Sequence, residues 1–409
     1  MTRPASPSES TTPGTGLLMK KHIAFLNIPA AGHITPTLGV VEELVRRGHK
    51  VSYLAADGFA EKIASTGADV IPYATTLDPR TIAPTGAEDW LARVLLGAVR
   101  EAAATAPTLE AHFGDDLPDC LVYDISMQFL GRVMSRKLGV PGIQLYPVLA
   151  SHQYFSEAEG AAEGMFGQLT RELRAFADAH GLQDVTLDEL MSDAPRNISF
   201  MPREFQSDAD SFPEDQYTFV GIPLRESDLQ GTWRPSSDKP VVLISLGTTF
   251  NTQPEFFAMC AKAFEGLPWH VVIAAGPGVD LEAVGELPPN AEIHTWLTLQ
   301  AVLEHAGAFV CHGGAGNTMN ALYAGVPLVS VPHNGDSEMI AARTGELRLG
   351  RVLPPEEVTA ETLREAVLEV AADETVQANL RDMRKYMKEA GGAPRAADTI
   401  LGHLRTVSK

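Results

Sequence analysis

The chain has 409 residues, too many for a single hydrophobic core, so two domains are expected. Its composition, 44% hydrophobic and 21% charged, is that of a globular protein, and no apolar run nears the ~18 residues of a membrane span. A formal net charge of −20 argues against a nucleic-acid partner and favours a monomer or weak homodimer. Cys120, Cys260 and Cys311 lie far apart in or beside apolar sequence, which suits buried thiols in a reducing cytoplasm better than disulfides or zinc.

Residues 1–18 are rich in Ser, Thr, Pro and Gly and read as a disordered tail without the apolar block of a signal peptide. Met19 is a second possible start. Lys21–Ile28 then reads as a strand, Pro29–His33 as a turn, and Leu38–Arg47 as a helix with Leu38, Val41, Leu44 and Val45 on one face. With the strand Lys50–Leu54 this makes a βαβ unit and implies a parallel sheet. Further strands are expected at 68–73, 119–124, 142–146, 197–201 and 217–220. Helical sections fall at 88–113, 129–138 and within 151–193.

Linker composition at 222–239 (Pro223, Gly231, Pro235, Ser236, Ser237) marks a boundary between domains at 19–221 and 240–409. A second alternation follows, with strands at 241–245, 270–275, 291–294 and 308–311 and helices at 254–265 and 299–305. The expected fold is α/β, two doubly wound Rossmann-like domains facing a cleft. In such sheets ligands bind beyond the carboxyl ends of strands, and His33, Asp124, Gly247 and His312 all follow expected strands.

The chemistry is densest at His312-Gly313-Gly314-Ala315-Gly316-Asn317-Thr318, between a buried strand and the helical spacing of Met319–Ala324. Strand, glycine-rich turn and helix present bare N–H groups and a helix N-terminus to an anion, and His312, Asn317 and Thr318 add donors. No Lys follows the glycines as in Walker A, and there is no GxGxxG. A strand-to-helix turn packed through glycines remains the plain alternative. The strand Pro327–Pro332 follows, ended by the polar run His333–Glu338.

These residues carry a resemblance. FLNIPAAGHITPTLGVVEELVRRGHKVSY, LVYDIS, FMPREFQ, YTFVGIPL, VVLISLGTTFNTQPEFF and VCHGGAGNTMNALYAGVPLVSVP occur in order over roughly residues 20–405. The chain resembles the macrolide-type glycosyltransferases of the UDP-glycosyltransferase superfamily, inverting and metal-independent sugar transferases with the two-domain GT-B fold. The resemblance implies an N-terminal acceptor domain and a C-terminal nucleotide-sugar domain whose last helix packs back on the first. It implies no cofactor beyond the nucleotide sugar as co-substrate, and a hydrophobic small-molecule acceptor.

By resemblance, His33 is the base that deprotonates an acceptor hydroxyl, and Asp124 holds and stabilises its imidazolium. Taken alone, His33 reads as a turn histidine and Asp124 as a helix N-cap. Trp296 and Leu297 match the nucleobase platform, and Gly247 and Thr248 a loop at the diphosphate. His312, Gly314, Gly316, Asn317 and Thr318 match the phosphate site. Asp336 and Ser337 match the sugar-hydroxyl site, and Asn320 the ribose position.

Three departures bear on the donor. Ser337 stands where the family often has Gln, Asn320 where it often has Glu, and Trp296-Leu297-Thr298-Leu299 replaces Trp-x-Pro-Gln. UDP-glucose is the first expectation and a TDP-deoxysugar the alternative. Trp90, Met127, Phe129, Tyr146, Tyr154, Phe155, Met165 and Phe166 are expected to wall the acceptor site, each of them also readable as core. Asp208-Ala209-Asp210 imitates a metal-binding DxD but reads as a solvated acidic loop. A sugar-nucleotide epimerase and an inactive partner of another transferase are the competing classes.

Overall fold

In the computed structural model, the residues described are 20–77, 90–151, 164–248, 252–276, 278–333 and 335–407. They form two parallel sheets. The first has seven strands: β1 (His22–Leu26), β2 (Lys50–Ala55), β3 (Asp69–Pro72), β4 (Cys120–Asp124), β5 (Gly142–Tyr146), β6 (Asn197–Ser199) and β7 (Tyr217–Phe219). The second has six: β8 (Val241–Ser245), β9 (His270–Ala274), β10 (Ala291–His294), β11 (Ala306–Cys311), β12 (Leu328–Ser330) and β13 (Gly350–Val352). Central strands such as β1, β4 and β8 are buried along their whole length, as apolar strands covered by helices on both faces should be.

Strand order runs β3-β2-β1-β4-β5-β6-β7 in the first sheet and β10-β9-β8-β11-β12-β13 in the second. Each order reverses direction once, between β1 and β4 and between β8 and β11. At such a switch point the connections leave on opposite faces and open a crevice at the carboxyl ends of the strands. In register, Leu26 lies opposite Tyr123 and Ser245 opposite Cys311. The residues just beyond these pairs are His33 and Asp124 in one sheet, Gly247 and His312 in the other.

The segment between the sheets crosses at 220–240, and the last helix, Gly392–Val407, returns to the first sheet. Its Ala396, Ala397, Ile400, Leu401 and Leu404 share a buried cluster with Ile34, Leu38, Val41 and Leu44 of the helix Ala31–Arg46. Arg47 adds an ion pair to Asp398 at 2.5 Å. A second tie joins the domains, because Arg343 donates to the carbonyls of Phe205 (2.9 Å), Gln206 (3.3 Å) and Glu204 (3.4 Å).

Several boundaries differ from the sequence expectation. The helix after β1 begins at Ala31, so His33 sits in its first turn, and Pro36 lies inside the helix. The expected start at Leu38 therefore lies seven residues too far along the chain. The phosphate-loop helix likewise begins at Ala315 and takes Gly316, Asn317 and Thr318 into its first turn. The polar run after β12 becomes the helix Gly335–Glu346, with Asp336 and Glu338 in its first turn. No helix among the described residues is long and apolar enough to cross a membrane, and all three cysteines are buried and free.

Candidate active site

The first half of the site is a histidine held by a carboxylate. His33 Nδ1 lies 3.0 Å from both Asp124 oxygens, with the His33 side chain 20% exposed and Asp124 fully buried. Asp124 also accepts from the Ser126 N–H at 2.8 Å, so it caps a short 3-10 turn while holding the imidazole. One side chain thus caps the turn and contacts the imidazole. An Nδ1–H donated to the carboxylate leaves Nε2 with its lone pair, the tautomer a base requires. Burial pushes the His33 pKa down, but the charge and hydrogen bond of Asp124, with Asp336 behind them, outweigh it and raise the pKa above 6.5.

The second half is built to approach an anion. No side chain caps the helix Ala315–Ala324, so its first-turn N–H groups point into the crevice without a competing side-chain oxygen. His312 is wedged between two glycines. A Cβ on Gly247 would lie 2.7 Å from its ring and one on Gly314 only 2.2 Å away. Gly247 also has φ +74°, a conformation that favours glycine, whereas Gly316 has open space around it. Burial, then the charge of His333, pushes the His312 pKa to about 4, which keeps a neutral imidazole in this crevice. Asn317 donates to the Ser245 carbonyl at 3.1 Å, tying the helix start to the end of β8. The buried Thr318 hydroxyl has no hydrogen-bond partner among the described residues, an orphan that a phosphate oxygen would satisfy.

Trp296, just after β10, is 68% exposed. An indole left open to solvent beside a crevice is a natural platform for a flat ring. Leu297 is half-buried and packs on the core beneath. Thr248 is exposed beside Gly247. Asp336 is half-buried in the helix start facing the first domain; burial raises its pKa, the charge of His33 lowers it and that of Asp124 raises it.

The structure corrects part of the expected site. Ser337 is 2% exposed and its hydroxyl accepts from the His333 N–H at 3.1 Å, so it caps a turn inside the fold. Asn320 already uses both ends of its amide: it donates to the Gly316 carbonyl at 2.7 Å and accepts from Gln300 at 2.9 Å. Met127, Phe129 and Tyr146 are at most 1% exposed. The first two lie in the core between sheet and helices, and Tyr146 packs in a separate cluster with its hydroxyl on Asp193 at 3.0 Å. Side chains closed to water cannot wall an open cavity. Met165 and Phe166 are half-exposed, while the Trp90 side chain, Tyr154 and Phe155 lie outside the described residues. Asp208 precedes the 3-10 turn Ala209–Ser211 between β6 and β7, and Asp210 lies within it.

Sequence reasoning missed Lys62 and Arg343. Lys62, in the short helix Ala60–Ala64, donates to Thr35 at 3.1 Å and holds its ammonium 5.8 Å from the Trp296 ring centroid, across the cleft. Nothing in the sequence singles out one lysine among the surface lysines. Arg343 could have been sought only after the helix Gly335–Glu346 was recognised.

The chain is similar to known proteins over nearly its whole length. Residues 269–399 match the family model described as the C-terminal domain of erythromycin biosynthesis protein CIII-like proteins. The chain is 38% identical over 391 residues to the NDP-glycosyltransferase YjiC of Bacillus licheniformis, covering 94% of this chain and 98% of the relative. It is 36% identical to the oleandomycin glycosyltransferase of Streptomyces antibioticus, over 94% of this chain and 91% of that one. Among solved structures, the calicheamicin glycosyltransferase CalG4 superposes with a TM-score of 0.86 at 35% identity, covering 96% of this chain and 100% of the other.

Proposed function

The chain belongs to the macrolide-type glycosyltransferases of GT-B fold, and we propose that it moves a sugar from a nucleoside diphosphate to a hydroxyl of a hydrophobic natural product, with inversion at the anomeric carbon. The observation that carries this reading is His33, fixed by Asp124 at 3.0 Å at one switch point, facing the uncapped helix and neutral His312 of the other. An acceptor hydroxyl placed between them gives its proton to His33 Nε2 as its oxygen bonds to the anomeric carbon. The bond from that carbon to the diphosphate breaks on the opposite face, and the imidazolium is stabilised by Asp124. One displacement inverts the configuration.

Charge developing on the leaving diphosphate is met by the first-turn N–H groups, the His312 imidazole and the Thr318 hydroxyl, donors already fixed by packing. This division of labour calls for no metal and no cofactor besides the nucleotide sugar. Trp296 supports the base and Asp336 accepts from sugar hydroxyls. The carbonyl-bound Asn320 and buried Ser337 offer the donor little, which keeps a TDP-deoxysugar beside UDP-glucose as the donor.

The test is an incubation of the protein with UDP-glucose or TDP-glucose, first alone and then with a phenolic or macrolide acceptor. We expect a β-glycoside from an α-linked donor, read by the anomeric proton coupling. An α-glycoside overturns inversion, epimerised donor without acceptor favours an epimerase, and no product with any donor favours an inactive partner. Thermal shift with UDP, TDP and GDP ranks the nucleotides, since a ligand stabilises in proportion to its affinity.

A further inference from the structure

The donor-binding half of the site is electrically neutral where it meets the diphosphate. Gly247, Thr248 and the run His312–Thr318 include no Lys or Arg, and His312 is held neutral by burial. A nucleoside diphosphate brings at least two negative charges to this place, inside a chain whose own net charge is −20. N–H groups and a helix end supply partial charges, and a full positive charge is missing from this domain's share of the site.

The opposite domain holds one in the right place. Lys62 projects from the helix after β2, bonds to Thr35 in the first turn of the helix that carries His33, and lies over the Trp296 ring at 5.8 Å. Its polar contact is one neutral hydroxyl. Among the described residues no carboxylate comes within ion-pair distance. Its pKa is pushed down by burial and then by the nearby charge of Arg225, partly offset by Asp228, and Arg225 is itself paired with Asp228 at 2.7 Å. A cation over an exposed indole, without a counter-ion, is a cation waiting for an anion. A donor with its base on Trp296 and its sugar at His33 must carry its diphosphate between them, and Thr35 and Lys62 flank that path.

We propose that Lys62 is a nucleotide-binding residue supplied across the cleft, pairing with the diphosphate of the donor when the base lies on Trp296. This rests on the donor reading above. It gives the first domain a direct hold on the donor, and it makes the ammonium a partner of the leaving group as the glycosidic bond breaks.

The experiment is calorimetric titration of wild type, Lys62→Met, Lys62→Arg and Trp296→Ala with UDP, TDP, uridine and thymidine, at two salt concentrations. Methionine keeps the aliphatic stem and removes the charge. We expect Lys62→Met to weaken both diphosphates by about tenfold or more, the scale of a lost charge-assisted hydrogen bond. Nucleoside affinity should stay unchanged, the salt dependence should flatten, and Lys62→Arg should recover most of the loss. Unchanged diphosphate affinity in Lys62→Met overturns the proposal. Tighter binding also overturns it, since the ammonium would then be an occupant that the base displaces. Equal losses for nucleosides and diphosphates overturn it too, and point to a base contact or to damaged folding. The donor reading fails separately: Trp296→Ala would leave nucleoside affinity untouched, or wild type would bind no diphosphate at all.

Discussion

Asp336 in the second domain and His33 in the first set each other's protonation across the cleft: the carboxylate raises the histidine, and the imidazolium lowers the carboxylate. A base works only when unprotonated, so activity is lost as pH falls through the raised His33 pKa. Removing either carboxylate takes away a raising influence and moves that acidic limb of kcat/KM to lower pH. The shift should be larger for Asp124→Asn than for Asp336→Asn, because Asp124 is in contact with the ring. Asp124→Asn should also cut turnover by roughly 10²–10⁴, the usual range for a general acid–base contribution. A pH–rate profile of the three proteins checks both statements, and an acidic limb that stays fixed in Asp124→Asn sinks the assignment of His33 as base.

Gly314→Ala should damage donor binding through a neighbour. The new methyl would lie 2.2 Å from His312 Nε2, a backbone-fixed clash that forces this packed ring to move. Displacing a packed imidazole by overpacking costs about 1–3 kcal/mol. We expect a raised dissociation constant for UDP or TDP together with a lowered midpoint in urea. Gly316→Ala meets open space and serves as the control for the urea midpoint, since its own place in the phosphate site leaves only stability comparable. Equal behaviour of the two variants would mean that the His312 wedge has no role.

Much of this was legible in the sequence where one local signal decided the matter. The strands β1, β4, β8 and β11 announce themselves as apolar runs, and His33, Asp124, Gly247 and His312 lie at or just past their carboxyl ends. What the residues alone could not carry, and only the resemblance supplied, was the pairing of His33 with Asp124, 91 residues apart, which depends on β1 and β4 becoming neighbours at the switch point. It also could not separate wall from core, since Phe129 and Phe166 have the same side chain and differ only in what covers them. Ser337 and Asn320 have partners within the fold that the sequence did not show, for a related reason. A polar side chain near a ligand site has its backbone as a competing partner, and here the backbone takes part of both. The helix Gly335–Glu346 escaped notice because its polar start looks like a loop, although acidic residues in a first turn are a helix signal.

Arg343 ties the second domain to the first, and its loss should show in catalysis before binding. It lies two turns along the helix that begins beside Asp336, and it grips the carbonyls of residues 204–206. Gln206 in turn brackets Ala150 through both of its amide ends, at 3.0 and 2.8 Å. Arg343→Met should lower stability by about 1.5 kcal/mol, the low end for hydrogen bonds from a charged donor, because the side chain is 20% exposed and partly screened. Turnover should fall while UDP or TDP affinity holds, since the proposed nucleotide contacts lie mostly within the second domain. Paired titration and initial-rate measurements decide it: a nucleotide affinity that drops in step with kcat would place the effect in the folding of the second domain.

The donor preference can be read from two substitutions that behave in opposite ways. Ser337→Gln places a larger side chain at a position 2% exposed and removes the acceptor for the His333 N–H. It should destabilise the fold by about 1–3 kcal/mol and give no gain with any donor. Asn320→Glu is different, because position 320 is half-exposed. The carboxylate loses the donation to the Gly316 carbonyl but keeps Gln300 as a donor, and its remaining oxygen is free to accept from ribose hydroxyls. A hydrogen bond to a charged group contributes roughly 1.5–3 kcal/mol, against about 0.5–1.5 for a neutral one. The loss at Gly316 offsets part of this, which leaves a several-fold drop in KM for UDP-glucose. TDP-glucose has no 2′-hydroxyl and should gain nothing from the change. Steady-state kinetics of wild type and both variants with the two donors side by side provide the check. If Asn320→Glu improves both donors equally, its carboxylate is not acting on the ribose, and position 320 does not distinguish the donors.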